Sequence, residues 1–152
     1  MSSAREQRPP GLAERRSRAR SLAVQALYQW QLAGTGPADI EVQFHTDQDF
    51  SRVDRDYFRE LLQQIPERVA ELEEALAPCL ASPPQGVDPV ERGILLLGAY
   101  ELLHRPELPL RVIINEAVDL AKRFGAEQGH RFVNGVLDQL GRRVRAGEAR
   151  VP

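Results

Sequence analysis

Cysteine is nearly missing: Cys79 is the only one in 152 residues. That excludes an internal disulfide and a metal site built on several thiolates, and it agrees with a reducing compartment. Long apolar runs are missing too. No stretch of about 18 apolar residues occurs, so no membrane span is expected. Residues 1–20 read MSSAREQRPPGLAERRSRAR and hold no apolar segment that could form the core of a signal peptide. These absences lead us to expect one soluble, cytoplasmic domain with no membrane association. Lysine is almost absent as well, since Lys122 is the single lysine among 20 basic residues. Arginine would suit bidentate phosphate contacts, but its even spread along the chain is explained more simply by codon preference.

Chemical motifs are also lacking. The chain contains no GxxxxGK[ST], GxGxxG, HExxH or GxSxG pattern. His45, His104 and His130 are far apart in sequence and fall on or beside predicted helix ends, where a surface role is simpler than a shared metal site. Asp54 and Asp56 form a DxD pair that would suit a divalent cation. Beside Ser51 at a helix start, compensation of the helix dipole is the more economical role. Glu101 stands out on an otherwise apolar helix. A buried carboxylate is costly alone, so it is expected to accept hydrogen bonds or to pair with an arginine. No second titratable group near it in sequence suggests catalysis, and neither a metal nor a cofactor is expected.

What is present is helical periodicity and an uneven charge distribution. The net charge of −2 combines +4 on residues 1–20, +3 on residues 142–152 and −9 on the rest. A basic end attracts polyanions even when the whole molecule is slightly acidic. From Ala19 onward, Leu22, Ala23, Ala26, Leu27 and Trp30 form one apolar stripe, while Val24, Tyr28 and Leu32 form a second on the opposite side. This first helix is therefore expected to contact two neighbours and to end between Gly34 and Pro37. Arg15 and Arg16 continue the first stripe, which suggests that the opening turns overhang the bundle without core contacts.

Further helices are expected over Asp39 to His45, after the capping residues Ser51 to Asp54, and from Val69 to near Pro78, with Pro66 as a break between them. Ser82 to Gly86 is the candidate joint between two halves. Asp88-Pro89-Val90-Glu91 is a strong helix start. The GILLLGAYELL that follows is apolar around nearly its whole circumference, as in a central helix surrounded by others. Val112 to Phe124 is amphipathic, and Gly125 suits a left-handed cap. A last helix carries Phe132, Val133, Val136, Leu137 and Leu140. The reading is an all-α fold of about seven helices in two small antiparallel bundles forming one compact domain. Its expected limits are a disordered tail at 1–13, a domain at 14–145 with halves near 14–81 and 88–145, and a basic tail at 146–152.

The segment Glu14 to Arg20, ERRSRAR, places positive charge at a helix start. There it opposes the macrodipole at typically about 0.3–1 kcal/mol per exposed residue. Phosphates would relieve that cost, and a solvated basic lead-in is the plainer alternative.

The blocks ARSLAVQALYQWQL, VERGILLLGAYELL, VIINEAVDLAKRFGAE and RFVNGVLD, in this order and at these distances, resemble the NusB family of bacterial transcription antitermination factors. The resemblance runs from roughly Arg16 to Leu140 and is specific in the joint occurrence of NEAVDLAKRFG and FVNGVLD. It implies an all-helical protein of two small bundles without enzymatic activity. It further implies pairing with the small-subunit ribosomal protein also called NusE, binding of the pair to the single-stranded boxA element of nascent RNA, and a place in the RNA polymerase antitermination complex of ribosomal RNA operons.

Carried over, Arg16, Arg18 and Arg20 would contact the RNA backbone, with Phe124, Gln128, Arg131 and Phe132 on the same surface. Tyr28 and Glu91 would face NusE. Phe124, Phe132 and Tyr28 also lie at the edges of apolar stripes, so packing and partner contact both stay open for them. Gln128 stands where the family often has an acidic residue, which predicts equal or tighter RNA binding. Leu96 stands where a basic residue is common and would extend the buried face, and Cys79 replaces a common tyrosine. An accessory module of the kind found in ribosomal RNA cytosine methyltransferases, and a protein-only scaffold, remain as alternatives. Formation of a homodimer is also open.

Overall fold

The computed structural model describes residues 8–149, which form eight α-helices and two single-turn 3-10 segments with no strand among them. The helices are α1 (Leu12–Ala33), α2 (Pro37–Asp47), α3 (Arg55–Glu67), α4 (Val69–Leu76), α5 (Pro89–His104), α6 (Leu110–Phe124), α7 (Gly129–Val144) and α8 (Ala146–Ala149). The all-α class is thus as the periodicity requires, with the single-turn α8 added to the expected number. Of the tail expected to be disordered, residues 1–7 lie outside the described residues, and Leu12 and Ala13 already belong to α1. Residues 150–152 of the expected basic tail also lie outside.

Helix boundaries follow local chemistry. Gly34 ends α1 in the left-handed region at φ 68°, where a Cβ would be strained. The Asp54 carboxylate accepts from the Tyr57 N–H at 3.0 Å to start α3, and Asp88 accepts from the N–H groups of Val90 at 3.0 Å and Glu91 at 3.4 Å to start α5. Pro66 does not itself end α3. It sits in the last turn, and the chain breaks two residues later at Arg68, whose φ and ψ are −103° and 16°. Gly125 is extended at φ −89° and ψ −178° rather than left-handed. Its N–H donates to the Ala121 carbonyl, and a Cβ would come 2.8 Å from that oxygen. Close approach, rather than a positive φ, is what calls for glycine there.

Helix α5 is buried from Gly93 to Leu102 and packs against α1, α3, α4, α6 and α7. A Cβ on Gly98 would lie 2.6 Å from a Leu137 methyl, so glycine lets α5 and α7 approach. Along α1, Ala19, Ala23, Ala26 and Leu27 are buried, with Leu22 and Trp30 at the margin. Truncating a buried leucine such as Leu27 to alanine typically costs about 2–5 kcal/mol. The second α1 stripe is covered only at Val24, since Tyr28 and Leu32 are 42% and 57% exposed.

The last described turns are tied to the body of the domain through Arg145 and Glu148. Arg145 donates to the carbonyl oxygens of Glu101 at 3.1 Å, Leu102 at 3.2 Å, Arg105 at 2.8 Å and also Leu108. Of these, the Leu102 carbonyl lies in the last turn of α5 and takes no backbone N–H among the described residues, whereas that of Glu101 also accepts from the Arg105 N–H. The Glu148 carboxylate in turn pairs with Arg145 and accepts from the Leu110 N–H at the start of α6.

Candidate functional site

The arginines of α1 divide by what they touch. Arg15 donates to the carbonyls of Val53 at 3.0 Å and Ser51 at 3.4 Å, and its own carbonyl accepts from the Asp54 N–H. The first turns therefore dock on the loop before α3, contrary to the expected overhang, because a long side chain can reach backbone acceptors beyond the apolar stripe. Arg16 pairs with Asp54 at 3.6 Å and lies 5.3 Å over the Tyr57 ring. Arg18 faces solvent in a pair with Glu14 at 3.1 Å.

Arg20 departs from the expectation of a phosphate contact. Its side chain is 3% exposed, and its guanidinium is held by Glu101 and Glu116, each at 2.7 Å. The hydroxyl of Tyr57 donates to the same Glu101 carboxylate, and Ser17 donates to Glu116. This is the partner that the carboxylate at 101 was expected to need. Burial raises the Glu101 pKa above the ordinary carboxylate value, and Arg20 and Tyr57 work against that rise. For Arg20 burial opposes the charge, but Glu101 outweighs it and the guanidinium stays firmly protonated. Burial, then the charge on Glu101, pushes the Tyr57 phenol well above its usual value. Buried carboxylate, guanidinium and phenol thus meet at Glu101 Oε2, which accepts from both Arg20 and Tyr57, and hold α1, α3, α5 and α6 together, while Glu101 Oε1 is buried without a hydrogen-bond partner among the described residues.

The remaining candidates line the outside. Phe124 is half-buried beneath Arg123, whose guanidinium lies 5.2 Å from the ring centroid. Gln128 and Arg131 are exposed at the start of α7, and Arg131 makes no ion pair among the described residues. Phe132 is 40% exposed and shares a groove of about 240 Å³ with Glu91, Leu80 and Val87. Of the two phenylalanines left open between core and surface, Phe132 lies on the surface and Phe124 at its edge. Glu91 is half-buried against Gly129, where any Cβ would collide with its carboxylate, and it has no ion pair or side-chain hydrogen bond among the described residues. Burial, then the neighbouring Asp88, raises its pKa. Tyr28 lines a separate groove of about 500 Å³ between α1 and α2, beside Leu32 and Phe44. The two residues expected to face a protein partner therefore do not share a groove.

Sequence reasoning missed Arg52 and Arg123, which join Arg18 around a cleft of about 670 Å³ between α1, the α2–α3 loop and the end of α6. Arg123 was legible only as part of the polar face of α6, and Arg52 carried no signal. Among the described residues no group of three or more His, Cys, Asp or Glu side chains could hold a metal ion, and no helix is long and apolar enough to cross a membrane.

These features define an all-helical domain that displays its arginine, aromatic and unpaired acidic groups along open grooves. The chain belongs to the NusB family, whose model, described as NusB family, matches residues 17–142. It is 54% identical over 139 residues to the transcription antitermination protein NusB of Nitrosococcus oceani, covering 91% of this chain and 93% of the relative. It is 51% identical over 141 residues to the protein of the same name from Pseudomonas entomophila, covering 93% and 85%. Both relatives are named as antitermination proteins, not as enzymes. Among solved structures, antitermination factors NusB and NusE in complex with dsRNA give a TM-score of 0.72 at 26% identity, covering 84% of this chain and 96% of that one. NusB of T. maritima gives 0.69 at 27% identity, covering 83% and 89%.

Proposed function

We propose that this chain is a non-catalytic antitermination adaptor of the cytoplasm that binds single-stranded boxA-type RNA together with NusE and supports transcription of ribosomal RNA operons. One observation supports this reading above the others. Arg18, Phe124, Gln128, Arg131 and the exposed ring of Phe132 succeed one another from the start of α1, over the end of α6, to the first turn of α7. Arginine forks for phosphates beside an accessible aromatic face for bases are what single-stranded RNA requires. Arg18 carries the contact from α1, with Arg16 as a lesser contributor because Asp54 and Tyr57 hold it, and Arg20 is left out of the contact. Tyr28 and the unpaired Glu91 face NusE, and the Glu91 groove reaches Phe132, so protein and RNA meet there.

The test is titration of the chain with a boxA-like oligonucleotide, with and without NusE, as a single strand and as a duplex. Binding is expected to be tighter with NusE and to favour the single strand. Arg18→Ala should weaken binding across sequences and flatten its salt dependence by up to about 0.7. An unchanged slope, or equal binding of the duplex, would overturn the reading.

A further inference from the structure

The cleft that Arg18 shares with Arg52 and Arg123 extends beyond every residue assigned so far to RNA. We propose that it is a second phosphate track, a continuation of the RNA path over the α2–α3 loop, with Arg52 and Arg123 as backbone contacts. This rests on the proposed RNA-binding function and lengthens the RNA that the protein engages.

Three arginines from three separate elements meet at one opening of about 670 Å³. Arg123 is exposed in the last turn of α6, and it makes no ion pair among the described residues. Its position over the Phe124 ring, at 5.2 Å, holds the guanidinium in place without using up its charge. Arg52 is half-buried in the loop, and one of its five N–H groups donates to the Arg8 carbonyl at 3.3 Å. The rest of that fork is available to an anion.

Two carboxylates also line the cleft, and both are already engaged. Asp49 accepts from the Ser51 N–H at 2.9 Å, which holds its pKa below the usual carboxylate range. Glu14 pairs with Arg18 on the surface, and an exposed pair of this kind is worth only about 0.2–1 kcal/mol. A phosphate can therefore replace Glu14 at small cost. A protein partner fits less well, since hot spots form around buried aromatic anchors and none of the cleft residues is aromatic. A small molecule would want an enclosed, largely apolar pocket, whereas this opening is wide and polar. A flexible polyanion satisfies all three arginines without needing enclosure.

The test compares a short single-stranded boxA-like oligonucleotide with the same oligonucleotide extended on either side by uridines, bound by the full chain in the presence of NusE. The variants are Arg52→Ala/Arg123→Ala and, separately, Arg18→Ala, with thermal unfolding as a check on folding. The extended RNA should bind more tightly than the short one, with a steeper salt dependence. The double variant should remove that advantage, flattening the slope by about 1.4 and changing the affinity ratio to wild type about sevenfold between about 50 and about 200 mM salt. Binding of the short RNA should hardly change.

If the extended RNA gains nothing, or the double variant leaves its slope unchanged while Arg18→Ala still weakens the short RNA, this inference falls and the proposed function stands. If Arg18→Ala leaves the short RNA unaffected, the proposed function falls first. Loss of NusE binding by the double variant without RNA would make the cleft a protein site and overturn the inference.

Discussion

Arg18 and Arg145 both lie in segments of net positive charge, near opposite ends of the chain, and only one of them is accessible at the surface. Arg18 is on the surface with a single exposed carboxylate beside it. Arg145 is 9% exposed and spends its guanidinium on four backbone carbonyls and Glu148. The same division recurs within α1, where Arg20, only two residues beyond Arg18, is sealed between Glu101 and Glu116. Charge counted by segment is therefore a poor guide to a polyanion surface. What decides the role of an arginine is whether the fold has already given it acceptors.

The sharpest way to break this contrast is Arg20→Ala, which leaves Glu101 buried and unpaired and should cost about 3–5 kcal/mol in denaturant unfolding. Arg18→Ala in the same experiment should cost less than about 0.5 kcal/mol. Equal losses would show that Arg20 is not the structural arginine its burial indicates. Next in size is Arg145→Ala, which strips donors from partly buried carbonyls and should cost about 1–3 kcal/mol, with α5 and α6 fraying together in hydrogen exchange. Loss of protection confined to α8 would refute the clamp.

The smallest effect concerns Glu91, an acidic group half-buried against Gly129 and without an ion pair among the described residues. The raised pKa of Glu91 means that the folded protein holds its proton more tightly than the unfolded chain does. That contribution to stability is present below about pH 4.5, the ordinary glutamate value, and is lost as pH rises through the folded value. Glu91→Gln should therefore be more stable than wild type at neutral pH by up to about 0.5 kcal/mol, with the gap closing on acidification below the ordinary value. It should also weaken NusE binding. A variant that is less stable at neutral pH would count against an unpaired Glu91.

Much of the fold was legible because its signals are local. The caps at Asp54 and Asp88 act within three residues of themselves, and the all-round apolar character of α5 announces a central helix before any neighbour is known. Gly125 was misread because glycine serves both a left-handed cap and a close approach, and sequence alone does not separate the two. The need of Glu101 for a partner was visible, but the identity of that partner was not, since Arg20 lies 81 residues away. For the same reason Arg20 was grouped with Arg16 and Arg18, its neighbours in sequence. The cleft around Arg52 was invisible because it exists only once α1, the loop before α3 and the end of α6 come together.

The network around Arg20 also governs how the molecule assembles. Its ion pairs close over 81 residues to Glu101 and 96 residues to Glu116, so they form only after distant parts of the chain have met. Until then Glu101 cannot be sealed into α5 without the cost of an unpaired buried charge. α1 and the α5–α6 region thereby depend on one another, and unfolding should proceed as one cooperative transition. Docking of α1 onto α5 and α6 is therefore expected to come late in refolding, since contacts this remote in sequence cost the most loop-closure entropy.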